Sequence, residues 1–159
     1  MDLSNTDFSE NLNLYFWDMN LIIQNISKLI SLTSEEEQLF LSKTETRQYK
    51  AKTIILNAGQ VCKEGYFVNS GLLRSFNIND NIVEHVMSFA CEGWWISDMY
   101  SLLSQKPGNL FIEVLENAEV VILSKEKSGT TVSRNSKTRT FFQNPNREFF
   151  GGQSRAING

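Results

Sequence analysis

The stretch GYFVNSGLLRSFNIND, residues 65–80, decides the fold class of this chain. Tyr66, Phe67 and Val68 favour a pleated backbone, and Leu72, Leu73 and Phe76 resume that preference beyond Asn69-Ser70-Gly71. Asn, Ser and Gly in succession carry turn chemistry. The segment therefore reads as strand, turn, strand, with Gly71 at positive φ.

Working outward, the period of two persists on both sides. TIILNAG (53–59) runs into a turn at Ala58-Gly59. NIVEHVMSFA (81–90) alternates, with Val83, His85, Met87 and Phe89 facing one way and Ile82, Glu84, Val86 and Ser88 the other. LFIEVLENAEVVILSK (110–125) reads as a further hairpin, turning at Glu116-Asn117-Ala118. Short strands broken by turn residues predict an antiparallel sandwich or barrel. Helices precede it. Leu12, Tyr15, Met19, Ile22, Ile26 and Ile30 recur at helical steps over residues 12–31, and TSEEEQLFLSK (33–43) offers a capping box from Ser34 to Glu37. EGWWISDMYSLLSQKPGN (92–109) interrupts the strands with a short helix near Asp98 to Leu103.

At 159 residues the chain is the size of one domain, and its 41% apolar content suits a folded one. From Lys127 onward Lys127, Arg134, Lys137, Arg139, Arg147 and Arg155 are opposed only by Glu148, a balance of +5. With −3 overall, the remainder carries −8, which argues against a generic nucleic-acid binder, because phosphate contacts need clustered Lys and Arg. The start, MDLSNTDFSE, lacks the basic and apolar regions of a signal peptide, and no run of about 18 apolar residues is present to span a bilayer. Cys62 and Cys91 sit at no metal or redox spacing, so reduced thiols and a cytoplasmic location are expected. His85 is the only histidine, which leaves a cupin-type metal enzyme short of ligands, and two thiols are too few for an iron–sulfur centre. Haem ligation through His85 or Cys62 is less expected than an ordinary strand histidine. No nucleophile elbow groups Ser, His and Asp, so no catalytic residues, no metal site and no enzymatic activity are expected.

After Glu126 both periods vanish, and Phe141, Phe142, Phe149 and Phe150 stand in a Ser-, Thr-, Asn- and Arg-rich background. The expected organisation is a helical segment over 1–33, a barrel over 34–126 and an irregular basic tail over 127–159.

Three stretches, 29–76, 84–103 and 112–126, resemble in order and spacing the sensor domain of the Crp/Fnr transcription regulators, especially those of Bacteroidetes-type bacteria. They are LISLTSEEEQLFLSKTETRQYKAKTIILNAGQVCKEGYFVNSGLLRSF, EHVMSFACEGWWISDMYSLL and IEVLENAEVVILSKE. Gly59 and Gly71 fall where that family places turn glycines. The resemblance implies a mainly β fold with flanking helices, a double-stranded β-helix (jelly-roll, cupin-like) barrel of the cyclic nucleotide-binding type. It implies also that the interrupting helix belongs to a phosphate-binding cassette, with the pattern Phe-Gly-Glu, an apolar helical turn and, about ten residues on, Arg before a small residue. There Ser97 replaces the glycine, Asp98 replaces the Glu, Met99 opens the apolar turn, and Asn109 stands near the Arg position without an Arg. Losing a charge-assisted phosphate contact costs about 1.5–3 kcal/mol, and Asp98 repels a phosphate. Cyclic AMP held in the usual way is therefore not expected; the degenerate cassette is expected either to pack or to hold a different, unidentified small molecule. Arg74, His85 and Trp95 are the candidates for pocket lining. Trp94 and Trp95 are adjacent on a strand, so at most one faces the barrel.

Members of the family continue into a long dimerising helix and a DNA-binding helix-turn-helix. A one-base shift of reading frame at Lys127 permits codons that restore helical periodicity over 127–152, so the tail is expected to be frameshifted and the regulator truncated. Such a chain has no specific DNA partner, no membrane partner, and no stable homodimer of the kind full-length relatives form. The alternative is a stand-alone small-molecule-binding or protein-interaction barrel.

Overall fold

The computed structural model describes residues 21–126. The expected helical segment before residue 21 and the whole tail from 127 lie outside them. The described chain opens in helix α1 (residues 21–27), where Ile22 and Ile26 are fully buried. Ile30 N–H still bonds to the Ile26 carbonyl at 3.0 Å, one helical step past the end of α1. Helix α2 (Ser34–Leu41) starts one residue earlier than the sequence suggested. TSEEE contains two overlapping boxes, and Thr33 takes the extended cap conformation (φ −76°, ψ 163°) while Ser34 enters the helix. Thr33 N–H donates to Glu36 Oε2 (2.8 Å) and Glu36 N–H to Thr33 Oγ1 (3.3 Å). Three glutamates in the first turn face the positive end of the dipole.

Six antiparallel strands follow: β1 (Thr44–Tyr49), β2 (Ile54–Leu56), β3 (Glu64–Ile78), β4 (Glu84–Ala90), β5 (Trp95–Ile96) and β6 (Phe111–Ser124). A six-residue helix, α3 (Met99–Ser104), separates β5 from β6. The two expected hairpins, at Asn69-Ser70-Gly71 and Glu116-Asn117-Ala118, are instead two long strands, β3 and β6, which pair with each other along their lengths. Their register slips between Val68 and Leu73, so both strands bend at one place. Gly71 has the positive φ its turn reading required (+92°), but it serves a bend: a Cβ there would lie 2.5 Å from the Asn117 carbonyl oxygen and 2.7 Å from Ala118 Cβ.

The bend makes each long strand serve two layers. Before it β3 pairs with β5 and the second half of β6, which also holds β1; after it β3 pairs with β4 and the first half of β6, which also holds β2. Counted by segment there are eight strands in two layers, the jelly-roll barrel. Alternation then sorts the side chains. Tyr66, Val68, Ile96, Val120 and Ile122 point into the barrel core with Leu73, Ile112 and Val114, whereas Phe67, Trp95, Val121 and Leu123 point outward onto Ile22, Ile26 and Phe40 of the two helices.

The alternation expected for residues 82–89 does not survive. Phe76 pairs with Val86 and Ser75 with Ser88, leaving Met87 as a bulge. His85 and Ser88 therefore share the barrel-side face, while Glu84, Val86 and Phe89 share the other. Between β3 and β4 the chain turns through Asp80-Asn81-Ile82: Ile82 N–H reaches the Asn79 carbonyl (2.9 Å), and Asn79 N–H reaches that of Val83 (3.1 Å). Ile82 holds φ +61° and is 85% exposed, a position where hairpins prefer Gly or Asn. Ile82→Asn is accordingly expected to raise stability by about 1 kcal/mol, read as a higher urea midpoint at constant slope.

No helix among the described residues is long and apolar enough to cross a membrane.

Candidate functional site

The site builds on the chain between β5 and β6. Trp95 and Ile96 leave on opposite faces, Ser97 follows, and Asp98 caps α3 from an extended backbone (φ −83°, ψ 92°). Asp98 is 3% exposed; its Oδ1 accepts the Ser101 N–H at 3.0 Å and its backbone carbonyl accepts the Leu102 N–H at 2.8 Å. Oδ2 lies against Gly108, where a Cβ would come within 1.9 Å of it. Pro107-Gly108 turns the chain so that Gly108 closes on the β2–β3 loop: Gly59 N–H donates to the Gly108 carbonyl (2.8 Å) and Gly108 N–H to that of Gln60 (3.2 Å).

Ser101 ties this unit together. Fully buried, its Oγ donates to the Lys106 carbonyl (2.6 Å) and accepts the Cys62 N–H (2.8 Å). Gln105 ends α3 in the left-handed region (φ 56°), and its side-chain amide returns to the Leu102 carbonyl (2.8 Å). Lys125, leaving β6, places its ammonium on the carbonyls of Leu102 (2.9 Å) and Leu103 (3.3 Å), the negative end of the helix. Ser97 Oγ donates to the Glu64 carbonyl (2.9 Å) and sits 3.3 Å from Cys62 Sγ, so it faces the core. Inside the barrel Tyr66 donates to Glu64 Oε2 (3.2 Å). Burial, and next the charge of Glu64, push the Tyr66 phenol well above the ordinary tyrosine value, which keeps it a neutral donor.

Of the residues singled out from sequence, Ser97, Asp98 and Met99 are brought together, and Asn109, exposed, follows Gly108 beside them. The other three lie apart. Trp95 is 3% exposed within the outer cluster under α1, edge-on to Phe67 with ring centroids 5.2 Å apart, and Trp94 is 40% exposed. Neither tryptophan is in the barrel cluster. His85 is exposed beside the β3–β4 turn, its Nε2 3.0 Å from Asn79 Nδ2. Arg74 lies on the outer face of its layer, over the Phe76 ring (4.4 Å) and between Glu113 (2.7 Å) and Glu84 (3.0 Å). Burial pulls its pKa down, but the hydrogen bond and charge of Glu113, then Glu84, outweigh that and hold it above the ordinary value. A double-mutant cycle is expected to give about 1.5 kcal/mol of coupling for Arg74 with the largely covered Glu113 and about 0.5 kcal/mol for the exposed Glu84. Equal couplings would contradict this geometry.

Sequence reasoning missed Ser101, Gln105, Gly108 and Lys125. Ser101 three residues after a cap Asp was the one available signal; the others depend on contacts between distant segments. Among the described residues no three of His, Cys, Asp and Glu gather to hold a metal. Arg47 and Arg74, the arginines of the described residues, are both engaged by carboxylates, Arg47 by Glu45 at 2.7 Å.

A jelly-roll barrel with a capped helix between its strands is the class this architecture defines. The family model for the cyclic nucleotide-binding domain matches residues 46–135, and the chain belongs to that family. Among solved structures it is similar to the catabolite activator protein of Thermus thermophilus (25% identity, TM-score 0.58), covering 65% of this chain and 48% of that one. It is similar in fold to the N-terminal domain of a transcriptional regulator from Streptomyces coelicolor A3(2) (12%, TM-score 0.62), covering 70% of this chain and 78% of that one. The regulatory domain of Toxoplasma gondii PKA, crystallised with cAMP, is likewise similar (16%, TM-score 0.60), covering 69% of this chain and 42% of that one. The chain thus spans about half the length of the Thermus protein. No curated protein matches it.

Proposed function

We propose that this chain is the sensor domain of a Crp/Fnr-type transcription regulator whose cassette does not hold a cyclic-nucleotide phosphate in the usual way. One observation carries the second half: the Asp98 carboxylate, buried at the start of α3, already takes the Ser101 N–H. An oxyanion arriving there meets a like charge, and two unit charges 4 Å apart repel by about 4 kcal/mol at an effective dielectric of about 20. The cation that offsets such a charge has no counterpart at Asn109, and Arg47 and Arg74 are committed to carboxylates on the strands. A ligand for this barrel is then one without a phosphate at the cassette.

Calorimetric titration with cyclic AMP and cyclic GMP is expected to show no saturable heat up to about 1 mM, the affinity range of a ligand gaining only about 4 kcal/mol. Micromolar binding by either nucleotide overturns the reading. The truncation is tested separately by sequencing the gene: a shifted frame after Glu126 that encodes a periodic helix and a helix-turn-helix supports it, and a frame with stops or no such helix overturns it.

A further inference from the structure

The segment that carries the cassette is gripped from outside the barrel, by one side chain of α1. Asn25 uses both halves of its amide on it: Nδ2–H donates to the Gly93 carbonyl (3.1 Å), and Oδ1 accepts the Trp95 indole N–H (3.0 Å). These are contacts across 68 and 70 residues of chain. Gly93, at φ +82°, also donates to the Val68 carbonyl (2.8 Å), so the lead-in to β5 is fixed to β3 and to α1 together. β5 is two residues long. Its outward residue, Trp95, belongs to the cluster under α1, and its inward residue, Ile96, belongs to the barrel core with Leu102 of α3. Two residues further on, Asp98 caps α3.

We infer that Asn25 is a positioning residue for the cassette, through which the seating of α1 on the barrel sets the stability of α3. A strand of two residues has little pairing of its own to define where it lies. Its outward grip therefore decides how far Ile96 reaches into the core and where the Asp98 cap is offered to α3. The apolar contacts of Ile22 and Ile26 bring α1 to the sheet, but they slide easily; the two directed bonds of Asn25 fix its register against residues 93–95. Any contact that shifts α1 reaches α3 by this route, whether or not the barrel holds a ligand.

The test is amide hydrogen exchange of the full ligand-free chain, compared between the α3 amides of Ser101, Leu102 and Gln105 and the core β6 amides of Val120 to Ile122. Asn25→Ala is expected to speed exchange at the α3 amides about tenfold, the population change that losing buried hydrogen bonds produces, with β6 left at its original rates. Trp95→Phe keeps an aromatic ring on the face of Phe67 and removes the indole N–H together with part of the ring volume. It is expected to speed the same amides by a smaller factor, and adding it to Asn25→Ala changes them little further. The inference is overturned if α3 keeps its original rates in both variants, or if α3 and β6 accelerate alike, which marks a general loss of stability. Failure here leaves the phosphate reading untouched, since no nucleotide enters the experiment.

Discussion

Gly71→Ala is expected to cost about 4 kcal/mol and to leave the chain near or below its folding threshold, since a domain of this size is stable by only about 5–15 kcal/mol. Two effects add. An L-residue forced to φ +92° meets its own carbonyl, for about 1–2 kcal/mol. Its Cβ also arrives 2.5 Å from the Asn117 oxygen and 2.8 Å from Ala118 Cα, both backbone atoms of a strand buried on one face. They are held by β1, whose Tyr49 pairs with Ala118, so they cannot step aside, and overpacking of that kind adds about 1–3 kcal/mol. Gly59→Ala is the internal control. Its φ of +86° is nearly the same, but nothing lies within 4 Å of the new Cβ, so only the first effect applies. Urea unfolding of the pair separates strain from packing: a difference of about 2 kcal/mol is expected, and equal losses would remove the claim that β3 and β6 bend in contact.

That pair also explains how much of the fold is legible in the residues. Gly71 announces positive φ and delivers it, and Gly59, expected in a turn, holds positive φ as well, because the steric rule is local. Whether the positive φ closes a hairpin or bends a continuing strand is decided by the partner, and for Gly71 that is a segment some 45 residues away. Asn69-Ser70-Gly71 and Glu116-Asn117-Ala118 look like two turns; facing each other, they are one corner of the barrel. The Met87 bulge is hidden for the same reason, since NIVEHVMSFA carries no local mark of an extra residue and only pairing with β3 shows which one it is. The site divides along the same line. The short helix expected near Asp98 to Leu103 is α3, but that Asp98 is its cap emerges only from the structure. Its buried setting needs Gly108, Ser101 and the Gly59 loop, which meet only in three dimensions. Arg74 and His85, polar residues on strands of a barrel, carry no local mark of the face they occupy.

Trp95→Ala is expected to cost about 3–5 kcal/mol, while Trp94→Ala next to it costs about 0.5 kcal/mol or less. Both are aromatic, both are large, and the sequence WW gives no reason to rank them. The register does: Trp95 pairs with Phe67, so its ring falls on the face that α1 and α2 cover, and Trp94 is left 40% exposed. Removing the Trp95 ring empties the space between Phe67, Ile22, Ile26, Val121 and Leu123. The same change strips Asn25 of its indole donor and leaves its Oδ1 without that partner, which adds to the cavity term. Two readouts check this. The urea midpoint falls steeply for Trp95→Ala and hardly for Trp94→Ala, and Trp95→Ala removes more of the blue-shifted tryptophan emission than Trp94→Ala does. If both variants lose equal stability, β5 lies one residue out of register. In that case Ile96, not Trp95, faces the helices, and the segment leading to α3 hangs from a different face of the barrel.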